Sequence, residues 1–203
     1  MTARSAAYGQ DREPSVVDRF GVWLSGRSVH RHAVLADKRV ADLGCGFQAS
    51  LARKVLDEVA PPLTLVDLAL ADDLKENDRI RAIEGPLPAS LAELEDASID
   101  VVLCLSVLEH LNEPQRMLDE IHRLLAHGGV ALINVPTWLG KRFLELSAFR
   151  LGCSPAEEMD DHKRYYDPSD LWPMLVDAGF KPSGIRMRRH KFRLNTFAVC
   201  RVA

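Results

Sequence analysis

Short apolar runs alternate with longer stretches of helical spacing, and this alternation constrains the fold of the chain more than any other feature. Five runs have the length and composition of strands: Val40–Leu43, Leu63–Val66, Ile80–Ile83, Ile99–Leu105 and Val130–Val135. Helical spacing follows the first and fourth of them, at Leu51–Val59 and Pro114–Leu125. Alternation of this kind is typical of a parallel sheet with helices on both faces. The run Ile99–Leu105 is almost wholly apolar, which indicates a central strand buried on both sides.

The C-terminal quarter of the sequence predicts one more helix and two more strands. Ser169–Ala178 has helical spacing and is followed by Gly179, while Gly184–His190 and Asn195–Val202 are close enough to form a hairpin. His127-Gly128-Gly129 is predicted to end the preceding helix as a glycine C-cap. The predicted fold class is therefore α/β: a Rossmann-like, doubly wound, mainly parallel seven-stranded sheet with an antiparallel C-terminal hairpin strand.

The same patterns divide the chain into regions. Residues 1–14 are polar and predict a flexible N-terminal tail. Ser15–Ser25 predicts an amphipathic helix capped by Ser15, and it opens a single domain over 15–203. Within that domain, 136–167 interrupts the rhythm of strands and helices. A break of this length in a compact domain predicts a lid or substrate insertion.

Composition excludes several classes of partner. The 26 Lys and Arg are balanced by 29 Asp and Glu, which argues against a nucleic-acid track. The densest basic stretch, Arg186–Arg193, is interpreted as the solvated face of a terminal strand. No run approaches the roughly 20 apolar residues of a membrane span, so we expect no membrane partner. The four cysteines form no C-x-x-C pair, which predicts no structural metal site and a reducing, cytoplasmic setting. Nothing in the sequence indicates the oligomeric state.

The segment Arg39–Ala49 reads R-V-A-D-L-G-C-G-F-Q-A and predicts a strand, a glycine turn and a helix start. Without a Cβ, Gly44 and Gly46 allow the backbone to approach a ligand closely. Asp67 ends the next strand about twenty residues later, where a carboxylate can accept hydrogen bonds from both ribose hydroxyls of an adenosine. These residues predict an adenosine-containing cofactor, and the pattern Gly44-x-Gly46-x-x-Ala49 also satisfies a dinucleotide fingerprint.

Asp42 discriminates between the two cofactor classes. A carboxylate two residues before the first glycine would repel the pyrophosphate of a dinucleotide. It would instead pair, directly or through water, with the ammonium group of a methionine moiety. Asp42 therefore favours S-adenosylmethionine over NAD.

At this point the sequence resembles the class I S-adenosylmethionine-dependent methyltransferases, in particular the small-molecule-like branch called type 11. The resemblance runs from about Val34 to the C-terminus. It rests on Asp67 and on four segments: V-A-D-L-G-C-G at 40–46, D-A-S-I-D-V-V-L-C-L-S-V-L-E-H-L at 96–111, L-L-A-H-G-G-V-A-L-I-N-V-P at 124–136 and L-V-D-A-G-F at 175–180. The chain departs from the family at Gln48, where a third glycine is common, and at Pro86, where an acidic residue is expected.

The resemblance implies S-adenosylmethionine as cofactor and a set of residues that contact it. These are Asp42, Gly44, Cys45, Gly46, Asp67, Leu68, Glu84, Leu105 and Ser106.

Two histidines are candidate catalytic residues, because a hydroxyl acceptor must lose its proton and His is the side chain best matched to neutral pH. His110 follows the predicted strand 99–105, and its other interpretation is a structural residue at a helix start. His162 begins an H-x-x-x-Y pattern that ends at Tyr166 and resembles one found in this branch. Trp138 and Tyr166 are candidate substrate-binding residues at the edges of the insertion, although aromatic residues in such positions are more often packing residues.

The leading hypothesis is methyl transfer to a small or medium-sized acceptor, by O-methylation or N-methylation. A second hypothesis is a cofactor-binding, methyltransferase-like module that regulates or scaffolds a partner, motivated by Gln48 and Pro86. A third, an NAD-linked reductase, is disfavoured by Asp42 and by the absence of a Tyr-x-x-x-Lys pair.

Overall fold

A computed structural model describes residues 7–10, 16–141 and 163–203. Seven strands form one sheet: β1 Arg39–Leu43, β2 Ala60–Asp67, β3 Ile80–Glu84, β4 Ile99–Leu105, β5 Leu125–Pro136, β6 Ile185–His190 and β7 Asn195–Arg201. The order across the sheet is β3-β2-β1-β4-β5-β7-β6. The strands β1 to β5 pair in parallel, whereas β7 is antiparallel to both β5 and β6. The predicted mixed seven-stranded sheet with its C-terminal hairpin is confirmed.

The described residues include the following α-helices. They are α1 Val16–His32, α2 Ala52–Val55, α3 Asp72–Lys75, α4 Pro114–Leu124 and α5 Pro168–Asp177. Among the described residues, none of the helices is both long enough and apolar enough to cross a bilayer.

The core lies on both faces of the sheet, because strand residues alternate between them. One cluster contains Met117, Leu118 and Ile121 of α4, all with no exposed surface. The other contains Val29 of α1 and Val55 of α2. Burying one such aliphatic side chain contributes about 1.5–3 kcal/mol, so these two clusters hold the helices against the sheet.

The strand order reverses between β1 and β4, which lie side by side at the centre. The connections from these two strands leave in opposite directions, and a crevice opens at their carboxyl ends. Residues that follow β1, β2, β4 and β5 therefore face one common edge of the sheet. The predicted site residues on those segments are brought to that edge.

The structure differs from the sequence prediction after the glycine turn. The helix predicted over Leu51–Val59 spans only Ala52–Val55. Ala49 has a φ of 43°, in the left-handed region, so the helix cannot begin directly after the glycines. Ala60 already belongs to β2, and its N–H donates to the Lys38 carbonyl at 3.0 Å.

The predicted glycine C-cap at His127–Gly129 is also wrong. Helix α4 ends at Leu124, and Leu125 is already extended with φ −71° and ψ 126°. The two glycines lie within β5, where Gly128 has a φ of 75° and the register against β4 shifts. The glycines thus belong to an irregularity in the strand. Glycine is common at such positions because it adopts a positive φ without steric cost.

The first helix is longer than predicted, since α1 continues beyond Ser25 to His32. Gly26 does not interrupt it, and a Cβ at this position would lie 3.2 Å from the Leu51 side chain. At the other end of the chain, α5 begins with a capping box, in which the side chains of Asp167 and Asp170 each accept a hydrogen bond from the backbone N–H of the other residue.

Candidate active site

The glycine turn closes the crevice beside β1. Gly44 and Gly46 have φ values of 74° and 77°, a backbone conformation that favours glycine. A Cβ on Gly44 would collide with the Val107 side chain, and one on Gly46 would lie 3.2 Å from the Tyr8 carbonyl. The turn therefore needs glycine at both positions, for its backbone conformation and for the space it leaves.

Asp67 at the end of β2 fixes the turn. Its Oδ2 accepts a hydrogen bond from the Gly46 N–H at 2.7 Å, and its Oδ1 accepts one from the Leu68 N–H at 2.7 Å. The Gly44 N–H donates to the Val66 carbonyl at 2.7 Å. Asp67 is thus held beside the glycine turn, where the sequence predicts it.

Asp42 lies within β1, paired with Leu65 on one side and Leu103 on the other, and its side chain is almost completely buried. Burial raises the pKa of Asp42 to about 7, and the nearby charge of Asp67 adds to this effect. Two carboxylates so placed favour a cation, since a positive group relieves both the desolvation and the mutual repulsion.

Cys45 lies between the two glycines and is half-buried. Burial, together with the charges of Asp42 and Asp67, raises the pKa of its thiol. A thiol held in the protonated form is a poor nucleophile. Cys45 can contact a ligand in the turn, but it has no activated chemistry of its own.

Ser106 follows β4 and faces the same edge of the sheet. It has a φ of 62°, unusual for a residue with a Cβ, and its side chain is exposed. Its N–H donates to the Asn134 carbonyl at 2.8 Å, and its hydroxyl accepts from Asn134 Nδ2 at 3.2 Å. Backbone strain held by the surroundings in this way is common at functional sites.

The other predicted cofactor residues are distributed around this centre. Leu105 and Leu68 are half-buried at the ends of β4 and β2. Glu84, at the end of β3, accepts a hydrogen bond from the Leu70 N–H at 2.7 Å and lies 3.6 Å from Lys75 Nζ. The Glu84 carboxylate is therefore already engaged in organising the loop after β2.

Residues 7–10, within the predicted tail, lie against the glycine turn. The Tyr8 carbonyl accepts a hydrogen bond from the Phe47 N–H at 2.9 Å, and Ala7 is buried. No feature of residues 1–14 indicates this contact, since their composition is that of a solvated segment.

His110 and an aromatic cluster follow β4 and β5 along the chain. His110 ends a short 3₁₀ turn, Leu108–His110, directly after β4, and it is half-buried. Trp138 follows β5, is half exposed, and lies 5.5 Å from the Tyr165 ring. Lys141 Nζ lies 5.7 Å from each of these rings, within the range of a cation–π contact.

Tyr166 lies in the core. It is 3% exposed, and its hydroxyl donates to the Leu108 carbonyl at 3.4 Å. Burial raises the pKa of Tyr166 to about 12, so the phenol stays protonated at neutral pH. In the described structure Tyr166 supports the loop that carries His110.

His162 lies outside the described residues. Lys163, the first described residue after it, donates its N–H to the Glu109 carbonyl at 2.8 Å, and Lys163 Nζ donates to Asn112 Oδ1 at 2.9 Å. The chain therefore re-enters the described structure beside the turn that holds His110.

Three residues at this edge were given no role from the sequence. Asn134 is fully buried in β5, with its Oδ1 lacking a hydrogen-bond partner in the described structure. Thr137 donates from its hydroxyl to the Arg193 carbonyl at 3.0 Å and accepts from the Gly140 N–H at 3.0 Å. Glu109 is 1% exposed. An asparagine inside the apolar run 130–135 is the one clear signal, because a buried strand rarely carries an amide without a purpose.

Comparison with known proteins identifies relatives. The methyltransferase domain family matches residues 41–133. A "Ubiquinone biosynthesis O-methyltransferase" of Psychrobacter arcticus is 30% identical over 155 residues, which are 72% of this chain and 60% of the relative. The matched chain thus spans less than two thirds of that relative's length.

Solved structures share the fold. A SAM-dependent methyltransferase from Archaeoglobus fulgidus superposes with a TM-score of 0.65 at 14% identity, covering 89% of this chain and 94% of the other. The [4+2]-cyclase SpnF superposes with a TM-score of 0.66 at 15% identity, covering 98% and 87%. At these identities the likeness concerns the fold alone.

Proposed function

Because the chain belongs to the class I S-adenosylmethionine-dependent methyltransferase family, we propose that it transfers a methyl group to an oxygen of a small or medium-sized acceptor. The observation that carries the proposal is the pair of buried carboxylates, Asp42 and Asp67, beside a glycine turn. The O-methyltransferase name of the relatives supports oxygen as the acceptor atom.

The residues of the crevice fit the cofactor of this family. Gly44 and Gly46 give the turn a left-handed backbone conformation, which places the Gly46 N–H against Asp67. Asp42 and Asp67 supply negative charge for a ligand that carries a sulfonium and an ammonium group. When bound, S-adenosylmethionine supplies an electrophilic methyl group on a positively charged sulfur.

Each carboxylate has a separate role in this proposal. Asp42 pairs with the ammonium group, directly or through water, and so orients the methionine part. Asp67 accepts hydrogen bonds from the ribose hydroxyls while retaining its bonds to the turn. Ser106, held by Asn134, borders the methionine part from the adjacent strand.

The protein's contribution to the transfer is orientation and removal of water. The reaction is an in-line displacement, so the acceptor oxygen must be held about 3 Å from the methyl carbon. Trp138 and Tyr165, near the two ends of the insertion 136–167, supply an apolar wall at the carboxyl end of β5. A wall of this kind excludes water from the acceptor and orients its apolar part.

His110 is the proposed base among the described residues, and His162 remains the second candidate. Each imidazole would accept the hydroxyl proton as the oxygen attacks. Support for His110 comes from its position in the short turn Leu108–His110, which follows β4 and Ser106 along the chain. The bond from Lys163 to Glu109 brings the chain that follows His162 to the same turn.

Binding and turnover should be measured separately. Isothermal titration should give one site for S-adenosylmethionine and for S-adenosylhomocysteine. Transfer of a radiolabelled methyl group is then followed with catechol as acceptor, against its dimethyl ether as a matched control without a hydroxyl. Transfer to catechol alone is the expected result, and failure to bind either cofactor form would contradict the proposal.

The two alternatives predict different results in binding, transfer and thermal unfolding experiments. A regulatory or scaffold module predicts cofactor binding without transfer to phenols, alcohols, carboxylates or amines. An NAD-linked reductase predicts protection from thermal unfolding by NADH and not by S-adenosylhomocysteine. Since the fold also occurs in a [4+2]-cyclase, fold alone does not decide among these outcomes.

The reducing, cytoplasmic setting predicted from the sequence belongs to the same proposal. Cys45, Cys104 and Cys200 are free thiols, and the last two are buried. Free thiols are stable in a reducing compartment.

A further inference from the structure

A second concave surface, which we call the basic groove, lies between the end of α1 and the outer two strands. It has a volume of about 320 Å³. The residues that form it include Arg31, His32, Arg186, Arg188, Val199 and Arg201. Four guanidinium groups and an imidazole thus surround one cavity.

Strand register gathers these charges. Arg186 pairs with Val199 across the β6–β7 ladder, so the two residues share a face of the sheet. Residues 188 and 201 lie two positions from these along their strands and therefore face the same side. Helix α1 ends at His32 on that side. Side chains of the basic run within 186–193 therefore alternate between the two faces of the sheet, and Arg186 and Arg188 are the arginines of this run that line the groove.

Local hydrogen bonds hold the charged groups in place. Arg201 Nη2 donates to the His32 carbonyl at 3.0 Å, and Arg188 Nη2 lies 3.5 Å from His32 Nδ1. Arg186 Nη1 donates to the Ser183 carbonyl at 3.0 Å. The His32 ring packs edge-on against the buried Phe197 ring, 5.6 Å away. The groove is therefore formed by oriented side chains, and a ligand need order few of them.

The positive charge of the groove is not neutralised within the described structure. Among the described residues, none of its four arginines lies within 4.0 Å of a carboxylate, whereas Arg39, Arg53, Arg79 and Arg123 all do. Burial and the charge of Arg31 lower the pKa of Arg188. Clustered like charges without partners are costly, and an anion bound among them would remove that cost.

We propose that the basic groove is a binding site for a small ligand that carries two or more phosphate groups. Guanidinium groups bind phosphate oxygens in a bidentate manner, and a ligand with two or more phosphate groups has enough negative charge and enough oxygens to engage several of the four arginines at once. The volume matches the lower end of small-molecule sites, about 300–1,000 Å³. The nearly balanced charge of the whole chain favours a compact ligand over a nucleic-acid track.

The groove is separate from the crevice proposed for methyl transfer. Asn195 at one end of β7 pairs with Pro136 at the crevice, and Arg201 at the other end pairs with Val130. Six residues of strand separate the two ends by about 20 Å. The proposal therefore stands or fails independently of the proposed function.

The test is titration of the full chain with inorganic tripolyphosphate at physiological ionic strength. Wild-type protein should bind one equivalent. Arg188→Gln should weaken binding at least about tenfold, the effect of losing one charge-assisted contact. Arg31→Gln provides a second variant, since among the described residues this side chain has no hydrogen bond or ion pair whose loss could unfold the protein.

Arg189→Gln is the matched control. Arg189 is exposed on the same strand, but it is adjacent in sequence to Arg188 and therefore lies on the opposite face of the sheet. The Arg189→Gln variant should bind tripolyphosphate as wild type does. The affinity for S-adenosylhomocysteine should be unchanged in all three variants. Equal weakening by Arg188→Gln and Arg189→Gln, or no saturable binding, would overturn the proposal. So would binding confined to phosphatidylglycerol vesicles or single-stranded RNA.

Discussion

Asp67 Oδ2 accepts a hydrogen bond from the Gly46 N–H at 2.7 Å, which joins the end of β2 to the glycine turn after β1. The bond links residues 21 positions apart and fixes a carboxylate where the ribose of an adenosine cofactor would lie. Asp67 therefore organises the turn, and an ionised carboxylate has about four lone-pair sites that can accept hydrogen bonds.

Asp67→Asn should weaken S-adenosylhomocysteine binding at least about tenfold, because a neutral amide replaces a charged acceptor for the ribose. Isothermal titration measures this effect. Asp73→Asn is the control, since Asp73 is an exposed acid of α3 paired with Arg53. Equal affinity of the two variants would remove Asp67 from the site.

Gly44→Ala should destabilise the protein and abolish cofactor binding. Gly128→Ala shares the unfavourable φ of about 75° but meets no atom within 4 Å, so it should cost about 1–2 kcal/mol from the backbone alone. At Gly44 the collision with Val107 should add about 1–3 kcal/mol. Urea unfolding of both variants separates the two effects, and equal losses would contradict the steric argument.

Protonation of Asp42 should make both stability and cofactor binding depend on pH. Its pKa is about 7 in the folded protein and 3.8 as the reference value for the unfolded chain. Between these two values the folded protein keeps a proton on Asp42 that the unfolded chain has lost. Binding of this proton stabilises the folded state at low pH, and the stabilisation is lost as pH rises from about 4 to about 7.

Cofactor binding should show the opposite trend, because a cation beside Asp42 favours the carboxylate. Affinity should rise with pH up to about 7, with proton release on binding below that value. Titrations in two buffers of different ionisation enthalpy detect the released proton. Asp42→Asn should flatten the profile, and a pH-dependent profile retained by that variant would exclude Asp42 as the origin.

Tyr166→Phe should affect stability more than catalysis. The buried hydroxyl donates to the Leu108 carbonyl at 3.4 Å, so its loss should cost about 0.5–1.5 kcal/mol. Turnover per folded molecule should be unchanged, since Tyr166 lies in the core. A large fall in kcat without loss of stability would return Tyr166 to the substrate-binding residues.

His110→Asn should lower kcat about 10²- to 10⁴-fold, the range for loss of a general base, and leave cofactor affinity unchanged. The pH–rate profile should also lose its acidic limb. His30→Asn, an exposed histidine of α1 paired with Glu58, is the control. An unchanged kcat in His110→Asn would leave His162 as the remaining histidine candidate.

The regular part of the fold could be predicted because strand and helix periods are local properties of sequence. The apolar run Ile99–Leu105 predicted a central strand, and the bounds of β4 agree with it. The helix predicted over Leu51–Val59 was too long and the glycine C-cap predicted at His127–Gly129 was wrong, because backbone conformation at both places depends on distant partners. These partners are the Lys38 carbonyl, which accepts from the Ala60 N–H, and the Val202 carbonyl, which accepts from the Gly128 N–H.

The sequence by itself determined the α/β class, the glycine turn and the position of the carboxylates Asp42 and Asp67 beside it, because these depend on residue type and spacing along one strand–turn–strand unit. Only the tertiary structure decided that Tyr166 is a core residue, that Tyr8 covers the glycine turn, and that part of the basic run lines a groove with α1. Such outcomes depend on which segments meet in space. These contacts join segments that are distant in sequence and are set by packing across the sheet, so no local sequence pattern predicts them.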